Sequence, residues 1–561
     1  MGFTEKIINV FNPDAARKRA VVKNEMERLD AESKVLKAKL HIMDTLMGQE
    51  SGVQVTNSGY SHGAASRRRT WAREYHSESG SAKRDIEENR KLLRERSRDL
   101  VMNAPLAAGA VKSSRTSCIG PGLVPKPKID YEFLGLSQEE ANSLQGLIKK
   151  EFAVWAESTL CDNNDQNNFY ELQQIAFIDW LKNGEEFVLI KYDKPLPYMP
   201  YQLRIKLVEA DRVCTEGSLD GEYDGFDRKG KDGNTIVNGV EIDKSGKAVA
   251  YHIASRFPGE YGINKLEWKR VEKRGKKTGN PNILHIFNAE RADQYRGVPF
   301  LAPVVEAIKQ LTRYAEAEIM AALVNSLFTI FITTETGNDM GGFSGDGEEG
   351  SDDGELPGNG EGTEDDEIKV GSGNVAFLKD GEKVQAVEST HPSGNYDAFV
   401  NSIAVQIGAA LEIAPEVLLK KFSSNFSASK GALNETWKSF KMYRKWFVDD
   451  FCQEIYGLWF NEAVSKGRIN APGYFNNLLI RKAYTNATWN GPAQGHLNPM
   501  QEVNAAVEKI KNGLSTHEDE CSSINGSDYE DNVRTLKTEN QLLAGAQAAA
   551  EETGGKYGSK D

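Results

Sequence analysis

Apolar residues recur at helical spacing over several long stretches, most clearly at 393–467, which reads as helix, loop, helix. Tyr396, Phe399, Val400, Ile403, Ile407, Ala410 and Leu411 fall at i, i+3, i+4, i+7 spacing. Apart from Asp397, the other faces of that helix hold no charge. Pro415 ends the pattern, because proline lacks an N–H and restricts the residue before it. Residues 420–430 then alternate positive charge, aromatic rings and small hydroxyls. From Gly431 to Gly467 one long helix is predicted, with Trp437, Phe440, Phe447, Phe451, Ile455 and Trp459 on its buried face.

Upstream, residues 13–47 are charged and weakly amphipathic, and 50–66 are Ser/Gly/His-rich. Arg67-Arg68-Arg69-Thr70-Trp71 fits a nucleic-acid contact, a solvated arm or a subunit contact. Helical spacing runs over 82–113, broken at Pro105, and again over 138–157 and 169–183, where Gly184 supplies a C-cap. Strand patterns follow at 186–192, 202–209, 238–242, 248–253 and 282–287, with 243–247 as a hairpin turn. This middle part is predicted as mixed α+β with antiparallel pairing. A strong helix at 298–325 and the helix at 396–411 flank short strand patterns at 327–333 and 374–378. Helices are also predicted at 500–512, before Gly513, and at 529–543.

Charge changes this picture in one place. The net charge is −13, but residues 335–368 alone hold 13 Asp or Glu, ten Gly and no Lys or Arg. The rest balances at 69 basic against 69 acidic residues (82 less 13), so whole-chain charge says little about partners. The acidic run cannot bury enough surface to fold and is expected to be disordered. Five scattered cysteines without CxxC spacing predict free thiols in a reducing compartment. The N-terminus lacks a secretion-signal pattern, and no stretch reaches the ~18 apolar residues a membrane span needs.

Catalytic patterns occur without their contexts. Gly345–Gly350 matches GxGxxG inside the acidic run, where carboxylates would repel a phosphate. Ser427–Lys430 matches SxxK and Lys277-Thr278-Gly279 matches KTG, in reversed order for serine acyl-enzymes and without SDN. Asp162–Asp165 resembles the start of a calcium loop but lacks the glycine. His252 and His285 fall in strand patterns as sheet residues. No catalytic residue, metal site or cofactor is expected, and the chain reads as a non-enzyme.

Several motifs carry a resemblance. They are Arg94–Val101 with Pro105–Val111, Gly120-Pro-Gly-Leu123, Trp180-Leu…Gly184-Glu-Glu-Phe-Val188, and Ile283–Phe287…Arg291–Gln294…Arg296-Gly-Val-Pro299. Trp489-Asn-Gly-Pro492, Asn498–Glu502 and Gly513–Thr516 extend the series. In this order they resemble lambda-type phage portal proteins over about residues 67–540, although Asn498 and Gln501 stand where that family usually has Asp and Lys.

The resemblance implies a portal fold assembled as a ring, usually of twelve subunits, at one capsid vertex. It implies an N-terminal arm at 1–80, an α+β wing at 81–295, stem helices at 296–328 and 393–411, and a small α/β clip at 329–392 containing the acidic insert. A tunnel loop at 412–430, a long kinked helix at 431–467, a C-terminal wing and crown at 468–545 and a disordered tail at 546–561 complete the expectation. Lys420, Lys421, Phe422, Ser423 and Lys430 would then face DNA. Their lysines either touch passing phosphates weakly or pair with acids of a neighbouring subunit. Leu301, Val305, Ile308, Ala315, Ala322, Phe399, Ile403 and Ile407 would pack stem against stem.

Implied partners are other copies of the chain, the terminase large subunit, a neck protein, the capsid and scaffold proteins, and duplex DNA without sequence preference. The implied location is the virion vertex, after assembly in the host cytoplasm. The rival readings are a Ser/Lys hydrolase, which would label at Ser427 with an acyl probe, and a monomeric DNA-binding protein. Deleting residues 335–368 is expected to spare ring formation, as read by native mass. Loss of rings would make the acidic run part of the subunit contact.

Overall fold

The α+β part of the chain is organised by two adjacent glutamates at the start of one strand, and its elements are best followed toward them. The computed structural model describes Lys34 and residues 79–217, 227–260, 265–327, 330–334, 382–386, 396–422, 425–495 and 498–552. The Arg67–Trp71 cluster, the acidic run 335–368, the strand expected at 374–378 and Ser423 lie outside these residues. Residues 80–561 form one unit.

Helices α1 (Ala82–Glu87), α2 (Arg90–Asn103) and α3 (Pro105–Cys118) open it. Pro105 divides α2 from α3 because proline is tolerated in the first turn of a helix and nowhere deeper. Strand β1 (Val124–Pro127) and α4 (Tyr131–Leu134) follow. Helices α5 (Gln138–Ala156) and α6 (Phe169–Asn183) each begin with a capping box, Ser137/Glu140 and Asn168/Glu171, which satisfies otherwise orphaned N–H groups.

Next come β2 (Glu185–Tyr192), β3 (Leu203–Val208), β4 (Arg228–Lys229), β5 (Thr235–Val237), β6 (Val240–Ile242), β7 (Ala248–Ala254), β8 (Trp268–Glu272) and β9 (Ile283–Phe287). They form a sheet ordered β3-β2-β9 and an antiparallel meander from β4 to β8. The strand β8 was not anticipated. The helix expected from residue 298 begins as a short 3-10 turn, Ala302–Val304, before α7 (Val305–Leu327), because Pro303 lies in that turn.

Strands β10 (Ile330–Thr334) and β11 (Glu382–Ala386) pair antiparallel and are the two strands among the described residues between the helices. Then come α8 (Tyr396–Ala410), α9 (Pro415–Leu419), α10 (Phe426–Phe447), a π turn at Val448–Cys452 and α11 (Gln453–Ser465). The long helix thus starts five residues before the expected Gly431 and is interrupted by the π turn. Last are α12 (Leu478–Thr485), β12 (Ala487–Asn490), α13 (Pro499–Lys511), α14 (His517–Asn525) and α15 (Tyr529–Glu552).

The main core joins distant parts of the sequence through aromatic rings. Phe152 lies 5.0 Å from Trp459, 5.4 Å from Tyr456 and 5.7 Å from Phe169, with edge-to-face geometry that suits the ring quadrupoles. Strand β1 pairs with β12, Val124 opposite Asn490. Arg444 of α10 donates to the carbonyls of Ser117, Cys118 and Pro492 at 2.7–2.8 Å, fastening α10 to the end of α3. At that junction Gly120 has φ +58°, and a Cβ there would meet Pro492 Cγ at 2.3 Å. The Gly-Pro-Gly and Trp-Asn-Gly-Pro motifs therefore meet in space.

Glu185 is fully buried, and its carboxylate is saturated. Arg296 Nε reaches both oxygens at 2.9 Å, Arg94 Nη2 comes within 2.6 Å, His285 Nε2 within 2.9 Å, and Gly297 N–H donates at 3.0 Å. Burial alone would raise its pKa, but Arg296, with His285 and Arg94, holds it well below the usual carboxylate range. His285 is pushed down to about 4 by burial against the pull of Glu185, so it is neutral at pH 7. Next to this ion cluster, a Cβ on Gly297 would sit 2.0 Å from the Gly184 carbonyl oxygen, so only glycine permits that contact. Glu186 points to the other face of β2. It is buried with both carboxyl oxygens unpartnered, and burial, with Asp179 nearby, raises its pKa well above the usual value.

Arg296→Leu leaves a buried carboxylate short of its main counter-ion. It is expected to cost about 3–5 kcal/mol in urea unfolding followed by tryptophan fluorescence, and a cost under about 1 kcal/mol would show that Arg94 and His285 suffice alone. Glu186 behaves oppositely. Its folded pKa is raised, so the folded state keeps a proton that the unfolded chain releases, and stability falls as pH rises above the ordinary carboxyl value. Glu186→Gln is expected to melt with wild type near pH 4 and above it at pH 7.5, by thermal scans. A constant difference across that range would show that Glu186 is not held protonated.

Candidate functional site

The stretch from α7 to α10 carries the candidate residues. Helices α7 and α8 run in opposite directions. Tyr314, midway along α7, stacks on Tyr396 and lies 4.6 Å from Phe399 at the start of α8, while the end of α8 packs near the 302–304 turn. A tight turn ends α8: the Ile413 N–H donates to the Gly408 carbonyl at 2.9 Å, and a Cβ on Gly408 would meet the Ile413 oxygen at 2.4 Å. Glu412 takes φ +55° there. Thr436 of α10, itself buried, accepts from the Ala414 N–H at 2.8 Å and ties the turn to the long helix.

Pro415 starts α9, and Lys420 closes it in the left-handed region at φ +53°, an uncommon conformation for a lysine. Asn425 then caps α10 by accepting from the Ala428 N–H at 2.9 Å. The segment expected as an open loop therefore holds a short helix. Ser427, Ser429 and Lys430 lie in the first turns of α10.

Lys420, Lys421 and Phe422 come together on the exposed turn before Asn425. Phe422 is 55% exposed. Lys421 Nζ lies 3.8 Å from Asp397 with both groups exposed, a weak pairing that solvent screens. Lys430 stands apart from this group. Its Nζ is 3.4 Å from Glu502 of α13 in the same chain, so it joins the long helix to the C-terminal helices. Ser423 lies outside the described residues.

The residues expected to pack stem against stem divide. Leu301, Ile308 and Ile407 are buried in the chain's own core. Val305, Ala315, Ala322 and Ile403 are half-buried. Phe399 is exposed, as are Ile319 (67%), Met320 and Val405, three apolar residues not singled out as contacts. Exposed α8 residues are apolar or neutral apart from Asp397.

The π turn, with Asp449 and Asp450, and the first turn of α11, with Glu454, add carboxylates to the long helix. Burial, with Asp449 beside it, pushes the Asp450 carboxyl up to about 6. Among the described residues no group of three His, Cys, Asp or Glu is placed to hold a metal ion. Lys277-Thr278-Gly279 forms the turn after β8, with Gly279 N–H donating to the Gly275 carbonyl at 2.8 Å. No helix among the described residues is long and apolar enough to cross a membrane.

Known proteins share this sequence organisation. The portal protein of Escherichia phage N15 is 23% identical over 447 residues, covering 78% of this chain and 81% of that protein. Portal protein B of Escherichia phage lambda is 23% identical with the same coverage. Among solved structures, a chain from the neck of an empty gene transfer agent particle is 11% identical at a TM-score of 0.38, covering 77% of this chain and 94% of that one. The family described as phage portal protein, lambda family, matches residues 67–444. Spanning the turn, the helix pair and most of the α+β part, that match shows that the chain belongs to the lambda family of phage portal proteins.

Proposed function

We propose that this chain is one subunit of a ring at a single capsid vertex, through which double-stranded DNA is packaged and later ejected. The observation that carries the reading is the helix pair α7–α8. It exposes apolar side chains, Ile319, Met320, Phe399 and Val405, that a lone chain leaves in water. It also exposes almost no charge along α8, which suits a wall along which DNA slides, since phosphate binding comes mainly from Lys and Arg. Twelve such helices spaced at ~9 Å give a circle ~34 Å across between axes. Subtracting a helix diameter of ~10 Å leaves a lumen a little wider than a duplex.

In this reading α1 to β9 form the wing, α7 and α8 the stem, and β10–β11 part of the clip. The 412–425 turn becomes the tunnel loop, α10, the π turn and α11 the long helix behind it, and α13–α15 the crown. The clip would receive the terminase large subunit during packaging and a neck protein afterward. The wing would meet capsid and scaffold proteins. The chain acts as a structural component of the virion and not as an enzyme, in keeping with its family. Assembly precedes packaging and takes place in the host cytoplasm.

Lys420, Lys421 and Phe422 form the collar that meets DNA, and Lys430, engaged by Glu502, is outside it. Native mass or class-averaged micrographs of the purified chain test the ring, and assemblies of defined mass other than closed rings would overturn it. For the collar, Lys420→Ala with Lys421→Ala is expected to lower DNA retention in filled particles severalfold and to leave ring mass unchanged. Lys430→Ala is expected to leave retention at the wild-type level. Unchanged packaging and retention in the double variant would remove the DNA contact.

A further inference from the structure

Two helices near the C-terminus carry apolar stripes that the chain itself leaves bare. On α13, Met500, Val503 and Val507 are exposed at i, i+3, i+7 spacing, with Leu514 exposed just beyond the cap. On α15, Tyr529, Val533 and Leu536 follow the four-three spacing of a coiled-coil seam, Asn540 takes the next seam position before Leu543, and every residue from 529 to 547 is exposed, although Tyr529 stacks one face on His517 at 4.9 Å. The α15 stripe is about 20 Å long and the α13 stripe about 10 Å, with Leu514 beyond the end of its helix. Helices of this size owe most of their stability to packing an apolar face, so a bare stripe calls for a partner.

Their end charges match in one orientation. The last turn of α13 is basic, with Lys509 and Lys511, and the first turn of α15 is acidic, with Glu530 and Asp531; each has a partner in its own chain (Lys509 is 3.2 Å from Glu520, Asp531 3.1 Å from Lys149), so the match between the ends is one of overall sign. Antiparallel packing brings those turns together and aligns the two stripes. The chain's own α15 does not fill this place, since Val507 is 42% exposed and Leu536 54% exposed in the same molecule.

We infer that α15 of one copy packs antiparallel on α13 of the next. Two different patches meeting head to tail make a heterologous contact, which closes into a ring when the rotation allows. The inference rests on the ring reading above and adds a named contact to it. Ala506 is buried against the body on the flank of α13, and Lys430 holds Glu502 of the same helix at 3.4 Å. The α13 stripe is thus presented from a helix that a part-exposed ion pair joins to the start of α10, so ring closure and the long helix are connected through that contact.

The experiment uses the full chain with Val507→Cys and Leu536→Cys together, in a Cys521→Ser background because Cys118, Cys161, Cys214 and Cys452 are buried. Mild oxidation is expected to give a ladder of linked multiples about tenfold faster than either single-cysteine variant, since an interface concentrates the paired thiols. Adding Leu543→Asp, at a position exposed in the chain, is expected to abolish the ladder without changing monomer melting. Dimers from Leu536→Cys alone would put like helices together and overturn the pairing, as would a purely intramolecular link. Rings without a ladder overturn the pairing and keep the ring reading. A ladder without closed rings keeps the pairing and overturns the ring reading. The absence of both overturns both.

Discussion

Glu185 is the point on which the α+β part depends. A buried carboxylate is tolerated only when counter-charge and hydrogen bonds replace lost water. Here the replacements come from α2 through Arg94, from β9 through His285, and from the approach to α7 through Arg296 and Gly297. Arg296 also donates to the carbonyls of Ala210 and Val213 at 2.9 and 2.8 Å. Satisfying this one side chain therefore fixes a helix, two strands, two loops and the start of the α7–α8 pair. Glu186 beside it solves the same burial by keeping its proton. Neighbouring glutamates thus take opposite charge states because β2 turns them to opposite layers.

The geometry separates surfaces used within the chain from surfaces left for other molecules. Ile308, Ile407 and Leu411 spend the apolar stripe near the body, and Ile319, Phe399 and Val405 leave it uncovered farther along or around the helix. The body end of the pair is then rigid, since Gly408 and Thr436 lock the turn. The uncovered part is left in water by the single chain. Such a division suits a ring whose subunits fold first and join afterward.

The sequence made the local signals plain. The Gly184 cap and the Pro105 break mark helix ends within a few residues, so their physics is local. The start of α10 lies before the predicted Gly431 for a related reason. A Ser-rich segment after Asn425 looks like loop, yet Asn425 is a good cap, and Gly431 sits in open space where a helix tolerates it. Apolar spacing also identifies a face without saying what covers it, so Leu301 and Ile308 could not be told from Ile319. The β1–β12 pairing joins residues far apart in sequence through a strand with two prolines, which carries little strand signal. Glu185 and Arg296 were visible inside the portal motifs, but their pairing across the chain was not. The available hint was two glutamates opening an apolar strand, where a charge must find a partner.

The C-terminal helices are held to the body by a different force from the one that holds the core. Lys126 reaches Glu518 at 2.6 Å and Asp528 at 3.2 Å, and Lys149 reaches Asp528 at 2.7 Å. These pairs are partly exposed, so they weaken with salt and add little stability individually. Apolar burial there is sparse, with Ala506 the main buried apolar residue of α13. A region anchored by screened ion pairs and carrying bare apolar stripes has its final geometry set by what it packs against. The α+β part and the long helix are thus held by buried contacts within the single chain, whereas the C-terminal helices rest on screened ones. A low-salt monomer and an assembled particle should therefore differ more in α13–α15 than anywhere else among the described residues.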